Sequence, residues 1–159
     1  MRSKASIGGH PIHPATVAIP IGAYTFTLIA DLAVLAGRGP AWAAAARYAL
    51  VVGIAGALVA ALFGFVDFFK VTMSEAGWKV AKLHLTTNLI ALALFIVSYC
   101  LRRAALDGWS MAGFGTSTLA FLIVGVAGFL GGELVFKHKV GVLETDTEAT
   151  ELGRKDAFR

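Results

Sequence analysis

The sequence predicts an all-α integral membrane protein, a four-helix bundle with up-down-up-down topology. Its 159 residues are 57% hydrophobic and 15% charged, and the mean hydropathy is +0.74, whereas a soluble domain is about half apolar and a quarter charged. Four apolar segments are long enough to cross the ~30 Å hydrocarbon core, which takes about 20 helical residues. None of them alternates polar and apolar residues as the strands of a membrane barrel do.

The four predicted spans follow one another with short connections. The first covers residues 14–36, and Pro20 is expected to kink it because the proline ring removes one backbone hydrogen bond. The second, third and fourth spans cover residues 42–69, 80–101 and 111–136. The connections "GRGP", "SEAGWK" and "RRAALDGW" are short and contain turn residues, so consecutive helices are expected to be antiparallel neighbours.

The spans form one predicted domain over residues 1–142, and residues 143–159 form a polar tail. Positive residues near the helix ends set the orientation of a membrane protein. Of the Lys and Arg residues near the helix ends, seven lie on the side that holds both termini and four lie on the other side. We therefore expect both termini, and the tail, in the cytoplasm. This anchoring accounts for the net charge of +4, which gives no reason to expect a nucleic-acid partner.

Small residues on the second and fourth spans predict where helices approach one another closely, because small side chains let helix backbones meet in a membrane. The second span carries two adjacent stripes of small residues: Gly53, Ala57 and Ala61, with Gly56, Ala60 and Gly64 beside them. The fourth span carries Gly128 and Gly132 four residues apart. These faces are expected to form the tight contacts of the bundle.

All four histidines are expected at one end of the bundle. His10 and His13 precede the first helix in "HPIHP", His84 lies in the first turns of the third helix, and His138 follows the fourth. With antiparallel helices and both termini on one side, these four positions share a membrane face. The sequence therefore predicts a histidine cluster on the cytoplasmic side.

Two carboxylates are expected at the same end, and they give a hint of internal repetition. Asp67 lies near the end of the second span and Glu133 near the end of the fourth, where a charge needs a partner or water. A His, a Thr, a helix, a return helix and a carboxylate occur twice in this order: His13, Thr16 and Asp67, then His84, Thr87 and Glu133. This pattern indicates a weak 2+2 repeat of two hairpins related by an axis along the membrane normal.

Three chemistries use imidazoles and carboxylates grouped in this way. A transition metal binds neutral imidazoles with carboxylates, and a b-type haem takes two imidazoles across a helical bundle, with His84 as the best-placed internal ligand. A proton relay uses the same groups in series. The candidate cofactor ligands are His10, His13, His84 and His138, and Asp67 and Glu133 join them in the metal alternative.

A structural interpretation stays open beside these. Pro14 would begin the first helix and His13 would cap it, while the imidazoles would hydrogen-bond to lipid phosphate or to Asp67. Elsewhere, Asp31 near the opposite end is expected to pair with Arg38 or Arg102. Three polar residues that follow His84 are expected to bond across helices or to orient its ring: Thr86, Thr87 and Asn88.

Three segments together resemble a known family. "GHPIHPATVAIPIGA" at 9–23, "KLHLTTN" at 82–88 and "GFLGGELVFKHKVGV" at 128–142 are similar to the bacterial four-helix membrane family of domain of unknown function 2231. The resemblance covers residues 7–142 and falls on four histidines and one carboxylate: His10, His13, His84, Glu133 and His138. Some members of that family are joined to a Rieske-type iron–sulfur domain, so the resemblance implies work close to electron transfer.

The leading hypothesis is a multi-pass protein of the bacterial cytoplasmic membrane whose histidines bind haem b or a transition metal for electron transfer. The alternative is a non-catalytic membrane subunit or scaffold that packs against a partner complex, and a small transporter or proton pathway ranks third. The expected partners are the lipid bilayer, a redox protein or membrane complex, and a second copy of the chain.

Overall fold

The computed structural model describes residues 5–105 and 108–142. Within them, four helices are long and apolar enough to span a membrane: Ile12–Leu35, Pro40–Lys70, Glu75–Ala104 and Met111–Phe136. They confirm the prediction of an all-α four-helix membrane bundle. The predicted tail, residues 143–159, lies outside the described residues.

A short antiparallel ribbon precedes the first helix. β1 (Ser6–Ile7) pairs with β2 (His10–Pro11), with Ile7 opposite His10. Gly8 and Gly9 connect the strands with φ angles of 57° and 82°, and a two-residue hairpin turn with φ > 0 at both positions favours glycine. Part of the His-Pro segment is therefore a strand.

The first membrane helix is interrupted once. α1 (Ile12–Thr16) has Pro11 as its N-cap, so His13 lies inside the helix, and the interpretation of His13 as a cap is wrong. α2 (Ala18–Leu35) follows after a break at Val17. Pro20 has no N–H to donate to the carbonyl of Thr16 four residues earlier, which explains why the break precedes the proline.

The other three helices begin with recognisable signals. α3 (Pro40–Lys70) has a proline in its first turn, where the missing N–H costs nothing. The Ser74 side chain caps α4 (Glu75–Ala104) by accepting the Gly77 N–H at 3.1 Å. Ser110 caps α5 (Met111–Phe136) in the same way through the Gly113 N–H at 2.9 Å. The serine hydroxyls satisfy amide groups that the helix itself leaves unpaired.

The helices pack as two hairpins. α2 lies along α3, and α4 lies along α5, whereas α3 with α4 and α2 with α5 form narrower interfaces between the hairpins. We call Ile12–Lys70 the first hairpin and Glu75–Phe136 the second hairpin. α2 and α4 are diagonal to each other, and their longer side chains meet at the centre of the bundle.

The side chains that meet at the centre are related by a constant separation in the sequence. Asp31 pairs with Arg102, 71 positions later, and the Tyr24 ring stacks on the Phe95 ring with centroids 3.5 Å apart and planes 9° apart. His13 and His84, whose rings approach each other, share this separation of 71, and so do the buried residues Thr27 and Ser98. The two hairpins are thus equivalent about an axis that runs along the bundle.

Large apolar side chains cover the outside of the bundle. Leu62, Leu122 and Phe129 are among those that are more than half exposed, while the buried core is small and includes Leu50 and Phe95. A soluble monomer rarely exposes an apolar surface of this extent. The outer surface is therefore the one that faces lipid.

Candidate functional site

His13 lies in α1 with its ring against α3. Its Nδ1 is 2.8 Å from the carbonyl oxygen of Ala60. Gly64 makes room for the ring, because a Cβ at Gly64 would lie 3.0 Å from the His13 Nδ1. Helix α3 therefore offers His13 a carbonyl and a space without a side chain, one turn apart.

His84 has the same surroundings in the second hairpin. Its Nδ1 is 2.8 Å from the carbonyl oxygen of Ala127 in α5, and a Cβ at Gly131 would lie 3.1 Å from the His84 Cε1. Ala60 and Gly64 are separated from Ala127 and Gly131 by the same number of positions, 67. The sequence Ala-x-x-x-Gly is thus used twice for the same purpose.

The two imidazole rings meet near the bundle axis. Their centroids are 6.4 Å apart and their planes are 89° apart. A carbonyl oxygen only accepts hydrogen bonds, so each Nδ1 carries the hydrogen and donates it. In a neutral imidazole this leaves Nε2 with its lone pair. We call His13 and His84 the histidine pair and their end of the bundle the histidine end.

Threonine and asparagine side chains fix the backbone around the pair. The Thr16 hydroxyl donates to the His13 carbonyl at 2.9 Å, and the Thr87 hydroxyl donates to the His84 carbonyl at 3.0 Å. Asn88 donates to the His84 carbonyl at 2.8 Å, and its amide nitrogen lies 3.3 Å from the His84 Nε2. Val17 is the equivalent of Asn88, so the amide distinguishes the two imidazoles.

The structure does not bring His10 and His138 into one group with the histidine pair. His10 is exposed on the ribbon, where its Nδ1 lies 3.1 Å from the Gly8 carbonyl oxygen. His138 follows α5 and lies next to Gly77 at the start of α4. Across residues 5–105 and 108–142, no three His, Cys, Asp or Glu side chains form a group that could hold a metal ion. The predicted four-histidine cluster is reduced to a pair.

The two predicted carboxylates have other partners. Asp67 accepts the backbone N–H of Ala5 at 3.1 Å, which ties the chain before the ribbon to the end of α3. Glu133 pairs with Lys137 one turn later at 2.9 Å. Asp67 and Glu133 are also not equivalent, because the position 67 residues after Asp67 is Leu134. The carboxylate part of the predicted repeat is therefore wrong.

The opposite end of the axis holds a buried ion pair. Arg102 donates to both Asp31 carboxylate oxygens at 2.6 Å, and both side chains have 0% exposure. Arg102 also donates to Ser98 at 3.2 Å and to Ser117 at 2.9 Å, and the Trp109 indole N–H donates to Asp31 at 2.9 Å. Of the two partners expected for Asp31, the structure selects Arg102. We call this the ion-pair end.

The predicted glycine face of the fourth span is not the one that packs. A Cβ at Gly128 would meet nothing within 4 Å, and a Cβ at Gly132 would reach only Phe136 of the same helix. Gly131 faces His84 instead. Gly53, Gly56 and Gly64 of α3 do contact the first membrane helix, as expected.

Sequence reasoning missed Tyr24, Phe95, Ser98 and Ser117. Tyr24 and Phe95 form the stacked centre of the bundle, and the two serines complete the coordination of Arg102. Aligning the two halves at a separation of 71 would have found the ring pair, because an aromatic residue occupies both positions. No sequence signal of this kind marks Ser117, whose equivalent in the first hairpin is Leu50.

The arrangement can bind a group that takes two imidazole nitrogens. An imidazole that binds a metal through one nitrogen commonly donates the other N–H to a carbonyl, which fixes its tautomer and ring orientation. Both members of the histidine pair make that hydrogen bond. Among the described residues, the polar groups of the ion-pair end are hydrogen-bonded to one another.

No curated protein and no solved structure matches the chain. The family model described as "Predicted membrane protein (DUF2231)" matches residues 9–144, a range that includes all four helices, the histidine pair and the ion pair. The match also agrees with the resemblance carried by the His-Pro opening, the "KLHLTTN" segment and the "GGELVFKHKVGV" ending. The chain therefore belongs to the DUF2231 family of predicted membrane proteins.

Proposed function

We propose that this membrane protein carries a redox-active metal centre, haem b or a transition-metal ion, on His13 and His84 and takes part in electron transfer. One observation supports the proposal above the others. Both imidazoles donate Nδ1–H to a backbone carbonyl at 2.8 Å and approach each other to 6.4 Å, so each Nε2 carries a lone pair near the bundle axis, and the Asn88 amide lies 3.3 Å from the one on His84.

The residues around the pair hold it ready for a ligand. Ala60 and Ala127 fix the tautomer through their carbonyls, and Gly64 and Gly131 leave space for the rings. Preorganised ligands bind more tightly because they lose less freedom on binding. The metal centre, when bound, supplies one-electron oxidation and reduction.

We assign the histidine end to the cytoplasm, with a redox protein or membrane complex as its partner. With the histidine end in the cytoplasm, the excess of Lys and Arg follows the positive-inside rule. Basic side chains exposed at that end include Lys70, Lys79 and Lys137. They would attract an acidic redox protein or the membrane complex expected as partner, with the bilayer and a second copy of the chain as further neighbours.

Purified protein tests the proposal with matched variants. Visible spectra before and after dithionite, together with elemental analysis, are recorded for the natural chain and for four histidine variants: His10→Ala, His13→Ala, His84→Ala and His138→Ala. We expect a redox-active centre in the natural chain, in His10→Ala and in His138→Ala, and its loss in His13→Ala and His84→Ala.

Two results would overturn the proposal. One is a natural chain that is colourless and free of metal after purification from cells supplied with haem precursors and trace metals. The other is a centre that His10→Ala or His138→Ala removes while His13→Ala and His84→Ala retain it. A stoichiometric partner that purifies with a cofactor-free chain would instead support the scaffold alternative.

A further inference from the structure

The number of protein ligands restricts what the histidine pair can hold. A structural zinc ion takes four protein ligands, and a catalytic zinc ion takes three with water in the fourth position. The histidine pair supplies two, and no group of three or more His, Cys, Asp or Glu side chains in the described parts of the chain could hold an ion. A zinc ion at this site would lack two of the four protein ligands of a structural site, or one of the three of a catalytic site.

Resting on the proposed function, we infer that the ligand of the histidine pair is an iron porphyrin that takes both imidazoles as its two axial ligands, and not a bare transition-metal ion. A porphyrin brings four nitrogen ligands of its own, so two axial imidazoles complete its coordination. The donor set that is too small for a bare ion is thus sufficient for this group.

The origin of the two imidazoles also favours axial ligation. His13 comes from the first hairpin and His84 from the second, and the helices that carry them are diagonal in the bundle. The two imidazoles therefore reach the axis from opposite sides, as binding to the two faces of a planar macrocycle requires. In the H-E-x-x-H zinc motif, by contrast, both histidines come from one face of one helix, at i and i+4.

The separation of the rings has the size that axial ligation needs. A metal forms bonds of about 2.0–2.1 Å to imidazole nitrogens. Two such bonds, with the distance from each nitrogen to its ring centre, fill a separation of the observed 6.4 Å. The hydrogen bonds from each Nδ1 to Ala60 and Ala127 hold the rings in place and make Nε2 the ligand atom. The Asn88 amide, 3.3 Å from the His84 Nε2, turns away from that nitrogen when the iron binds.

The charge at the histidine end suits the propionates of a haem. Lys70 ends α3 and Lys137 follows α5, and both are exposed. These two residues are equivalents in the repeat, because 67 positions separate them as they separate Ala60 from Ala127. Each hairpin thus supplies one ammonium group at the histidine end, and ammonium groups bind carboxylates through charge-assisted hydrogen bonds. Lys137 pairs with Glu133 at 2.9 Å, so a propionate would compete with that carboxylate.

Titration of the cofactor-free full chain in detergent tests the inference. Hemin, Zn²⁺ and Cu⁺ are the three probes, and size-exclusion chromatography checks that each variant remains folded. We expect one hemin per chain with the spectrum of a six-coordinate, low-spin bis-imidazole complex. His13→Ala and His84→Ala should weaken hemin binding by about 100-fold or more, since loss of an outer-shell partner alone costs about 10–100-fold.

One further variant and two controls make the test more specific. His13→Gly leaves a space that free imidazole can enter, so imidazole in the buffer should restore the six-coordinate spectrum of this variant. His10→Ala and His138→Ala should bind hemin as the natural chain does, because neither residue belongs to the pair.

The outcomes separate the inference from the proposed function. If Zn²⁺ or Cu⁺ binds through His13 and His84 while hemin does not, the haem inference is overturned and a bare-ion centre remains. If none of the three probes binds through the pair, the inference and the proposed function both fail. Hemin binding that is equal in the natural chain, His13→Ala and His84→Ala is non-specific partitioning and also overturns the inference.

Discussion

His13 and His84 occupy equivalent positions in the two hairpins, and their rings approach to 6.4 Å at nearly a right angle. Each donates its Nδ1 hydrogen to a carbonyl of the partner helix in its own hairpin. The relationship depends on four small residues, two per hairpin: Ala60 and Gly64, and Ala127 and Gly131. Each hairpin thus forms its half of the site with the same Ala-x-x-x-Gly arrangement.

Gly64→Ala and Gly131→Ala should each weaken ligand binding at the histidine pair. The added methyl group would lie 3.0 Å from a ring atom of His13 or 3.1 Å from a ring atom of His84, so the imidazole must shift and its Nδ1 hydrogen bond is weakened. We expect about a 10-fold loss of affinity or more, measured by the hemin titration. Gly128→Ala is the matched control, since its methyl group meets nothing within 4 Å. Equal affinities for all three variants would contradict the prediction.

Asp31→Asn and Arg102→Met should each destabilise the bundle strongly. Either change leaves a buried charge without its partner, which costs about 3–5 kcal/mol. Thermal or denaturant unfolding in detergent measures the loss. Replacing both residues with leucine should recover much of it, because no unpaired charge remains. The exposed pair of Glu75 and Lys79 is the control, and Glu75→Gln should cost less than about 1 kcal/mol.

Tyr24→Phe should stabilise the protein. The Tyr24 side chain is 4% exposed, and its hydroxyl has no hydrogen-bond partner among the described residues. Removing an unsatisfied buried polar group recovers about 1–3 kcal/mol of desolvation cost, and the ring stack on Phe95 is retained. A higher unfolding midpoint is the expected result. A lower midpoint would indicate that the hydroxyl donates to a group bound in the native protein.

Reporter fusions should place both termini in the cytoplasm. Green fluorescent protein at the C-terminus should fluoresce, and alkaline phosphatase at the same point should be inactive, because seven of the Lys and Arg residues near the helix ends lie at this end and four at the other. Fusions after Gly37, at the opposite end of the first membrane helix, should give the reverse pattern. A C-terminal fusion with dark fluorescent protein and active phosphatase, together with the reverse result after Gly37, would contradict the proposed orientation.

Hydropathy predicted the helices of this protein well, because crossing the hydrocarbon core requires about 20 apolar residues wherever they stand. The last helix begins at Met111 and ends at Phe136, as predicted. The third begins at Glu75, earlier than predicted, because its first turns carry charges and extend out of the apolar region. A hydropathy window follows the apolar part of a helix and misses such an extension.

Hydropathy does not predict whether a side chain on a helix points to the bundle axis or to the lipid. Topology predicts that His10, His13, His84 and His138 share one end of the bundle, but it does not predict which of them point to the axis. In the same way, the four-residue spacing of Gly128 and Gly132 shows that they share a face and does not show that the face is buried. The constant separations of 71 and 67 carry the missing information, since equivalent residues in the two hairpins face one axis.

The buried ion pair also makes the two hairpins distinguishable to each other. Two copies of the first hairpin arranged about this axis would bring two Asp31 carboxylates together, and two copies of the second would bring two Arg102 guanidinium groups together. Either like-charge pair, buried away from water, is costly. The buried charges therefore favour the pairing of one first hairpin with one second hairpin over the pairing of two like hairpins, whether the two belong to one polypeptide or to two.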